Sequence, residues 1–176
     1  MPGIDTNREF IPVQLAILTV SDSRTPETDT SGKLLVERAQ ASGHQVVSRI
    51  ILPDDQTKLE TQLRAWIADP TIDVILSTGG TGVTGRDVTP EAFAAVWQKE
   101  IPGFGELFRA LSFPGIGTST IQSRACAGVA KGTFLFALPG SNGACRDGWD
   151  QILQYQLDNR YRPCNFVELF PRLLEK

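Results

Sequence analysis

The sequence predicts an α/β protein, a three-layer α/β/α sandwich built on a mainly parallel sheet. Short apolar runs that read as buried strands alternate with longer stretches of helical periodicity. That alternation calls for right-handed crossovers with helices on both faces of the sheet. The strands also run into polar or glycine-rich loops. A parallel sheet gathers such loops at one edge, where ligands bind in open α/β folds.

The first strand is Val13 to Val20, a nearly unbroken apolar run. The loop after it, Ser21 to Gly32, is polar, and its Ser and Asp side chains suit either a ligand or the cap of the next helix. Lys33 to Ser42 reads as that helix, with Leu34, Leu35 and Ala39 on one side and Gly43 as its stop. His44, in the following turn, is expected at the surface. Val46 to Leu52 is the second strand and ends in the acidic turn Pro53-Asp54-Asp55. Gln56 to Ala68 is a helix that places Leu59, Leu63 and Trp66 in the core. Asp73 to Leu76 is the third strand.

Beyond the central loop, a short helix carries Ala92, Phe93 and Val96, and a second begins near Ile101-Pro102. Phe113 to Thr118 is expected as a turn-rich link. Arg124 to Val129 and Thr133 to Leu138 flank Lys131-Gly132 as a hairpin. Pro139 to Gly143 forms another glycine loop, ahead of a helix from Ala144 to Leu157. Residues 1–12 are expected as a flexible arm, 13–166 as the folded domain and 167–176 as an irregular tail.

The central stretch runs from Leu76 to Ala92 and holds Gly79, Gly80, Gly82 and Gly85. Thr89 suits the N-cap of the helix that follows, and Pro90 its first turn. Glycine-rich backbone lets amides converge on an anion. Asp87 in the same loop would repel that anion unless a cation lies between them, which suggests phosphoryl or nucleotidyl transfer with a divalent metal. The plainer alternative is a structural turn in which Asp87 is a cap. Gly80 to Gly85 also fits G-x-G-x-x-G, with Glu106 downstream, but Arg86 to Thr89 separate the last glycine from the helix. P-loop spacing is present too, yet Arg86-Asp87 stands where Lys and Ser/Thr are required.

The 176 residues make one domain, large enough for its own core. Hydrophobic residues are 41% and charged residues 21%, with a net charge of −3. That balance argues against a general nucleic-acid or anionic-membrane binder. No apolar run approaches membrane-spanning length, and the first ten residues hold no signal-peptide apolar region, so a cytoplasmic location is expected. Cys126, Cys145 and Cys164 are widely spaced and His44 is the single histidine, which disfavours zinc and fits free thiols, buried or partly buried.

Thr78-Gly79-Gly80-Thr81-Gly82, Arg86-Asp87-Val88-Thr89-Pro90-Glu91-Ala92, Pro102-Gly103-Phe104-Gly105-Glu106 and Leu138-Pro139-Gly140-Ser141 together resemble the molybdopterin-binding family of molybdenum-cofactor biosynthesis. Leu111-Ser112-Phe113, Gly117 to Thr120 and Arg162 to Phe166 are similar to its MoaB branch rather than its MogA branch. The resemblance implies molybdopterin as ligand and its adenylylation by Mg-ATP, releasing pyrophosphate. It implies two acidic residues at work, Asp54 and Asp87, both retained here, which would also hold Mg²⁺. Ser21, Thr78, Gly79, Gly80, Thr81, Gly82, Glu106, Pro139, Gly140 and Ser141 are the expected substrate-binding residues. Arg86, Arg109 and Arg124 could contact phosphate or form surface ion pairs. The resemblance further implies a homo-oligomer, trimer or hexamer. A non-catalytic pterin carrier on the same fold is the alternative, and a dehydrogenase a distant third.

Overall fold

The computed structural model describes residues 2–175; Met1 and Lys176, the ends of the expected arm and tail, lie outside them. The chain begins with the short strand β1 (Gly3–Ile4), followed by β2 (Gln14–Val20), α1 (Thr30–Ala41), β3 (Gln45–Leu52), α2 (Gln56–Ala68) and β4 (Val74–Thr78). Then come α3 (Thr89–Ala94), β5 (Lys99–Glu100), α4 (Pro102–Ile116) and a 3-10 turn, Gly117–Gln122. The hairpin β6 (Cys126–Ala130) and β7 (Thr133–Leu138) leads into α5 (Asn142–Gly148), which continues through a π-helical turn, Trp149–Leu153, into α6 (Gln154–Gln156). β8 (Tyr161–Arg162) and a last 3-10 turn, Val167–Arg172, close the chain.

The main sheet has the order β3-β2-β4-β7-β6-β5. β3, β2, β4 and β7 are parallel, and β6 and β5 complete the sheet antiparallel. Alternation along each strand divides the core into two layers. Leu15, Ile17, Val74, Leu76, Phe134 and Phe136 face one side, beneath Leu35 of α1, Phe104 and Phe108 of α4, and Cys145 of α5. Ala16, Leu18, Ile75, Leu135 and Ala137 face the other, against Leu59, Leu63 and Trp66 of α2 and Phe93 of α3. This is the expected three-layer sandwich.

Asp residues start the first two helices. Asp29 Oδ1 accepts the Gly32 amide at 2.9 Å, and Asp55 Oδ1 accepts the Lys58 amide at 3.0 Å. Gly43, at φ +88°, ends the α1 region as expected. At α3 the boundary falls one residue earlier than the sequence suggests. Val88 is the N-cap, and the Thr89 hydroxyl donates instead to the Gly79 carbonyl at 2.9 Å.

Several expectations are corrected. Phe113 to Ile116 is helix, not a link: α4 runs on through Pro114 because Phe108 and Ser112 anchor it to the core. The N-terminal segment is tied down rather than loose. β1 pairs with β8, Arg8 donates to the Asn159 carbonyl at 2.6 Å, and Asn159 Oδ1 accepts the Ile11 amide at 2.9 Å. The tail is attached as well, since Val167 is buried and Phe170 and Leu173 pack on the core. Cys145 is buried and Cys126 half-buried, but Cys164 is exposed; all three are free thiols. Burial pushes the Cys126 thiol up to about 12 and the Cys145 thiol up to about 11, so neither is ionised at neutral pH.

His44 is buried, not at the surface. Its ring lies between Phe10, with centroids 5.2 Å apart, and Trp149, at 6.1 Å. Nδ1 accepts the Val13 amide at 3.3 Å, so the proton of the neutral ring sits on Nε2. Burial depresses its pKa from 6.5 to about 4, against an opposing pull from Asp158. The folded chain therefore rejects a proton that the unfolded chain accepts below 6.5. Stability is complete above that pH and falls as pH drops towards 4, by roughly 3 kcal/mol. Denaturant titrations between pH 7 and 4 should show this loss, and His44→Gln should flatten it even if the variant is weaker at neutral pH.

Candidate functional site

The sequence enters the sheet at β2, adds β3 on one side and then β4 on the other. The carboxyl ends of β2 and β4 thus frame the switch point at which α/β sheets open a crevice. A cavity of about 620 Å³ lies there. Ser21 follows β2, Asp54 follows β3, Thr78 ends β4 and Gly79 to Gly82 follow it, and Pro139 to Ser141 follow β7; all line it, as does Asp87. The loops that the sequence only suggested to be neighbours therefore share one wall.

Glycine makes that convergence possible. Gly79 has φ +103°, and a Cβ there would lie 2.2 Å from the Val20 carbonyl oxygen. A Cβ on Gly140 would reach 3.3 Å from the Gly79 Cα, so the loops after β2, β4 and β7 touch through backbone. Thr78 is fully buried and joins two of them, its hydroxyl donating to the Pro139 carbonyl at 3.0 Å. Thr81 is buried too. These two threonines shape the wall, whereas Ser141 caps α5 by accepting the Ala144 amide at 3.1 Å.

The opposite wall comes from α4 and the 3-10 turn, with Phe108, Ser112, Ile116 and Ser119 facing the cavity. None of these was among the expected site residues, although 108, 112 and 116 repeat at helical spacing. Glu106 is placed elsewhere. Two residues of helix turn the side-chain direction by about 200°, so Glu106 faces away from Phe108. It lines a separate cavity of about 590 Å³ with Arg109, Arg124 and Cys126.

Asp54 and Asp87 differ in environment. Thr84 bonds to Asp87 Oδ2 through its hydroxyl at 2.6 Å and its amide at 2.9 Å, which holds the Asp87 carboxyl below its ordinary pKa. Asp87 thus ties its own loop and does not cap α3. Asp54 is shifted the other way, by burial first and then by repulsion from Asp22 and Asp87, while Arg86 opposes the rise. A partly buried carboxylate beside two others is a natural place for a cation. Among the described residues no group of three His, Cys, Asp or Glu side chains closes a metal site. A magnesium ion held by Asp54 and Asp87 would take its remaining ligands from phosphate oxygens and water, as Mg²⁺ commonly does.

Arginines lock this geometry. Arg124 donates to the Gly82 carbonyl at 2.6 Å and the Asp87 carbonyl at 2.7 Å, and pairs with Glu91. Its amide also donates to the Thr81 carbonyl at 2.9 Å. One side chain therefore clamps both ends of the loop. Arg109 bonds weakly to the Ser123 and Ala125 carbonyls. On the far side, buried Asp29 pairs with Arg49 at 2.7 Å and accepts the Thr19 hydroxyl at 2.7 Å. Burial would raise the Asp29 pKa, but Arg49 and the Gly32 amide bring it below the ordinary value. Asp29 and Arg49 fix the α1 end of the cavity; of the two, only Asp29 had a sequence signal, as a polar residue before a helix.

Residues 16–159 match the family described as "Probable molybdopterin binding domain". The chain belongs to this molybdopterin-binding family. Within it, the chain is 53% identical over 158 residues to molybdenum cofactor biosynthesis protein B of Escherichia coli strain K12, covering 90% of this chain and 93% of that one. It is 42% identical over 142 residues to the protein of the same name from Bacillus subtilis, covering 80% and 84%. A crystal structure of molybdenum cofactor biosynthesis protein B superposes with a TM-score of 0.82 at 42% identity, over 85% of this chain and 94% of that one. The crystal structure of the tungsten cofactor synthesizing protein MoaB from Pyrococcus furiosus gives 0.72 at 35%, over 81% and 91%. The chain is a molybdenum cofactor biosynthesis protein B-like member of the molybdopterin-binding family, and its fold is that of MoaB and of MogA, whose structure superposes with a TM-score of 0.73 at 30% identity over 80% of this chain and 92% of that one. Among the described residues no helix is long and apolar enough to cross a membrane.

The glycine contacts make a paired prediction. Gly79→Ala puts a methyl group against a backbone carbonyl at positive φ and should cost more than about 2 kcal/mol in denaturant unfolding. Gly85→Ala, where a Cβ meets nothing within 4 Å, should stay within about 0.5 kcal/mol of the parent.

Proposed function

We propose that this protein binds molybdopterin in the cavity and transfers an adenylyl group from ATP to it, releasing pyrophosphate. The observation that carries this reading is the placement of Asp54 and Asp87, from two different loops, on one glycine-lined wall. The terminal phosphate of the pterin is already an anion at neutral pH, so its attack on the α-phosphorus needs no strong base. The difficulty is bringing two anions together. Magnesium, when bound, would neutralise phosphate charge and polarise phosphoryl oxygens. Asp54 and Asp87 would hold it, while the Gly80 and Thr81 amides, unlike that of Gly79, which donates to the Leu138 carbonyl at 3.0 Å, offer donors that need no reorganisation.

The raised Asp54 pKa supports the same reading. Its neighbours destabilise its charge, and an added cation would relieve that repulsion. A carrier that only binds the pterin gains nothing from a carboxylate pair beside a phosphate.

Self-association, as trimer or hexamer, is part of the proposal. Leu107, Phe113, Ile116 and Ile121 expose apolar surface along α4 and the turn after it. Light scattering should give a multimer at micromolar concentration, and a monomer mass would remove this element.

Asp87→Asn separates chemistry from binding. It keeps the shape and an oxygen that can accept from Thr84, but removes the charge. Adenylylation measured with purified molybdopterin and Mg-ATP should fall by about two orders of magnitude, equivalent to roughly 2.7 kcal/mol. Pterin affinity should change little. Asp54→Asn should behave alike, with the larger effect on ATP and Mg²⁺ dependence. A parental rate in Asp87→Asn would reject the mechanism and favour the carrier.

A further inference from the structure

Arg86 lies at the mouth of the cavity, on the loop that ends in Asp87. Its guanidinium grips the Asp22 carboxylate in a two-pronged pair. Nη2 lies 2.7 Å from Oδ1 and 2.6 Å from Oδ2, and Nε lies 3.1 Å from Oδ2. Asp22 is itself anchored, because Oδ1 accepts the Asp54 amide at 3.2 Å. The pair therefore crosses from the loop after β2 to the loop after β4 and touches the segment that carries Asp54.

Two features make this pair more than a surface bridge. It is well exposed, at 65% for the Arg86 side chain and 48% for Asp22, so water competes with it and it is weak. A more highly charged anion at the same mouth competes better than water. Moreover, of the arginines beside the glycine loop and the cavity mouth, two others are committed to backbone: Arg124 to Gly82 and Asp87, and Arg24 to the Thr28 carbonyl at 2.9 Å. Arg86 is the one of these three that is held by a side chain alone, and a side chain can release it.

We propose that Arg86 is the polyphosphate-binding cation of this site and that Asp22 is its resting partner, so that an incoming polyphosphate takes the guanidinium from Asp22. This deepens the adenylyl-transfer reading and rests on it for the identity of the polyphosphate, the triphosphate of ATP. The exchange costs little, because one charge-assisted two-pronged contact replaces another. It also favours a polyphosphate over a single phosphate, since a lone phosphate has less charge with which to displace a carboxylate. Asp22 then tunes affinity without touching the anion.

The test is calorimetric titration of inorganic pyrophosphate into the chelator-treated protein at fixed ionic strength, which needs neither pterin nor turnover. Asp22→Asn should bind pyrophosphate about three- to fivefold more tightly than the parent, as expected for losing an exposed ion pair that competes with the ligand. Arg86→Gln should bind it at least about fivefold more weakly. In the double variant the gain from Asp22→Asn should vanish, because no guanidinium is left to release. A gain that persists in the Arg86→Gln background would show that Asp22 acts only as a repelling charge and would overturn the proposal. So would an unchanged or weaker affinity in Asp22→Asn, or no measurable binding in any of these proteins. If the coupling is found but no adenylylated pterin forms with Mg-ATP, the transfer reading fails alone and the anion exchange stands.

Discussion

Backbone contact between the loops after β2, β4 and β7 is the constraint on which the rest of the site depends. At Gly79 the chain passes so close to the Val20 carbonyl that no side chain fits, and Gly140 lies against Gly79 in turn. These contacts bring three strand ends to one point beside the cavity. Backbone amides in such a loop attract anions, and the Asp87 carboxylate itself accepts the Thr84 amide at 2.9 Å. The Arg124 clamp fixes the path between Gly82 and Asp87, so the acidic group cannot move independently of the amides.

The same geometry explains how side chains that hold the loops in place contribute. Thr78 holds the Pro139 loop, Thr84 holds Asp87, and Asp29 with Arg49 holds the start of α1. Each satisfies a polar group that would otherwise be stranded beside the crevice. Preorganisation of this kind lowers the cost of placing two charged substrates in line.

Much of this was legible in the sequence because it rests on local signals. Strand runs such as Leu15 to Val20 and the helix from Gln56 to Ala68 declare themselves by periodicity, and the glycine loops mark the strand ends. What escaped depends on long-range contacts. His44 is buried by Phe10 and Trp149, and no local pattern shows either neighbour. Pro114 reads as a breaker, yet packing of Phe108 and Ser112 keeps α4 helical through it. The N-terminal residues look free until Asn159 and β8 are brought beside them. Glu106 was grouped with the site by its motif, while the helical repeat already placed it on the face opposite Phe108. Motif membership and cavity membership are different properties, and the helix phase separates them.

Adenylyl transfer supported by the acidic pair on this wall is the proposal on which the account turns. The most direct measurement is label transfer from ATP carrying ³²P at the α-position, in a single turnover with molybdopterin and Mg²⁺. The account predicts label on the pterin and unlabelled pyrophosphate in equal amount. Molybdopterin recovered unlabelled from a protein shown to bind both ligands would contradict it.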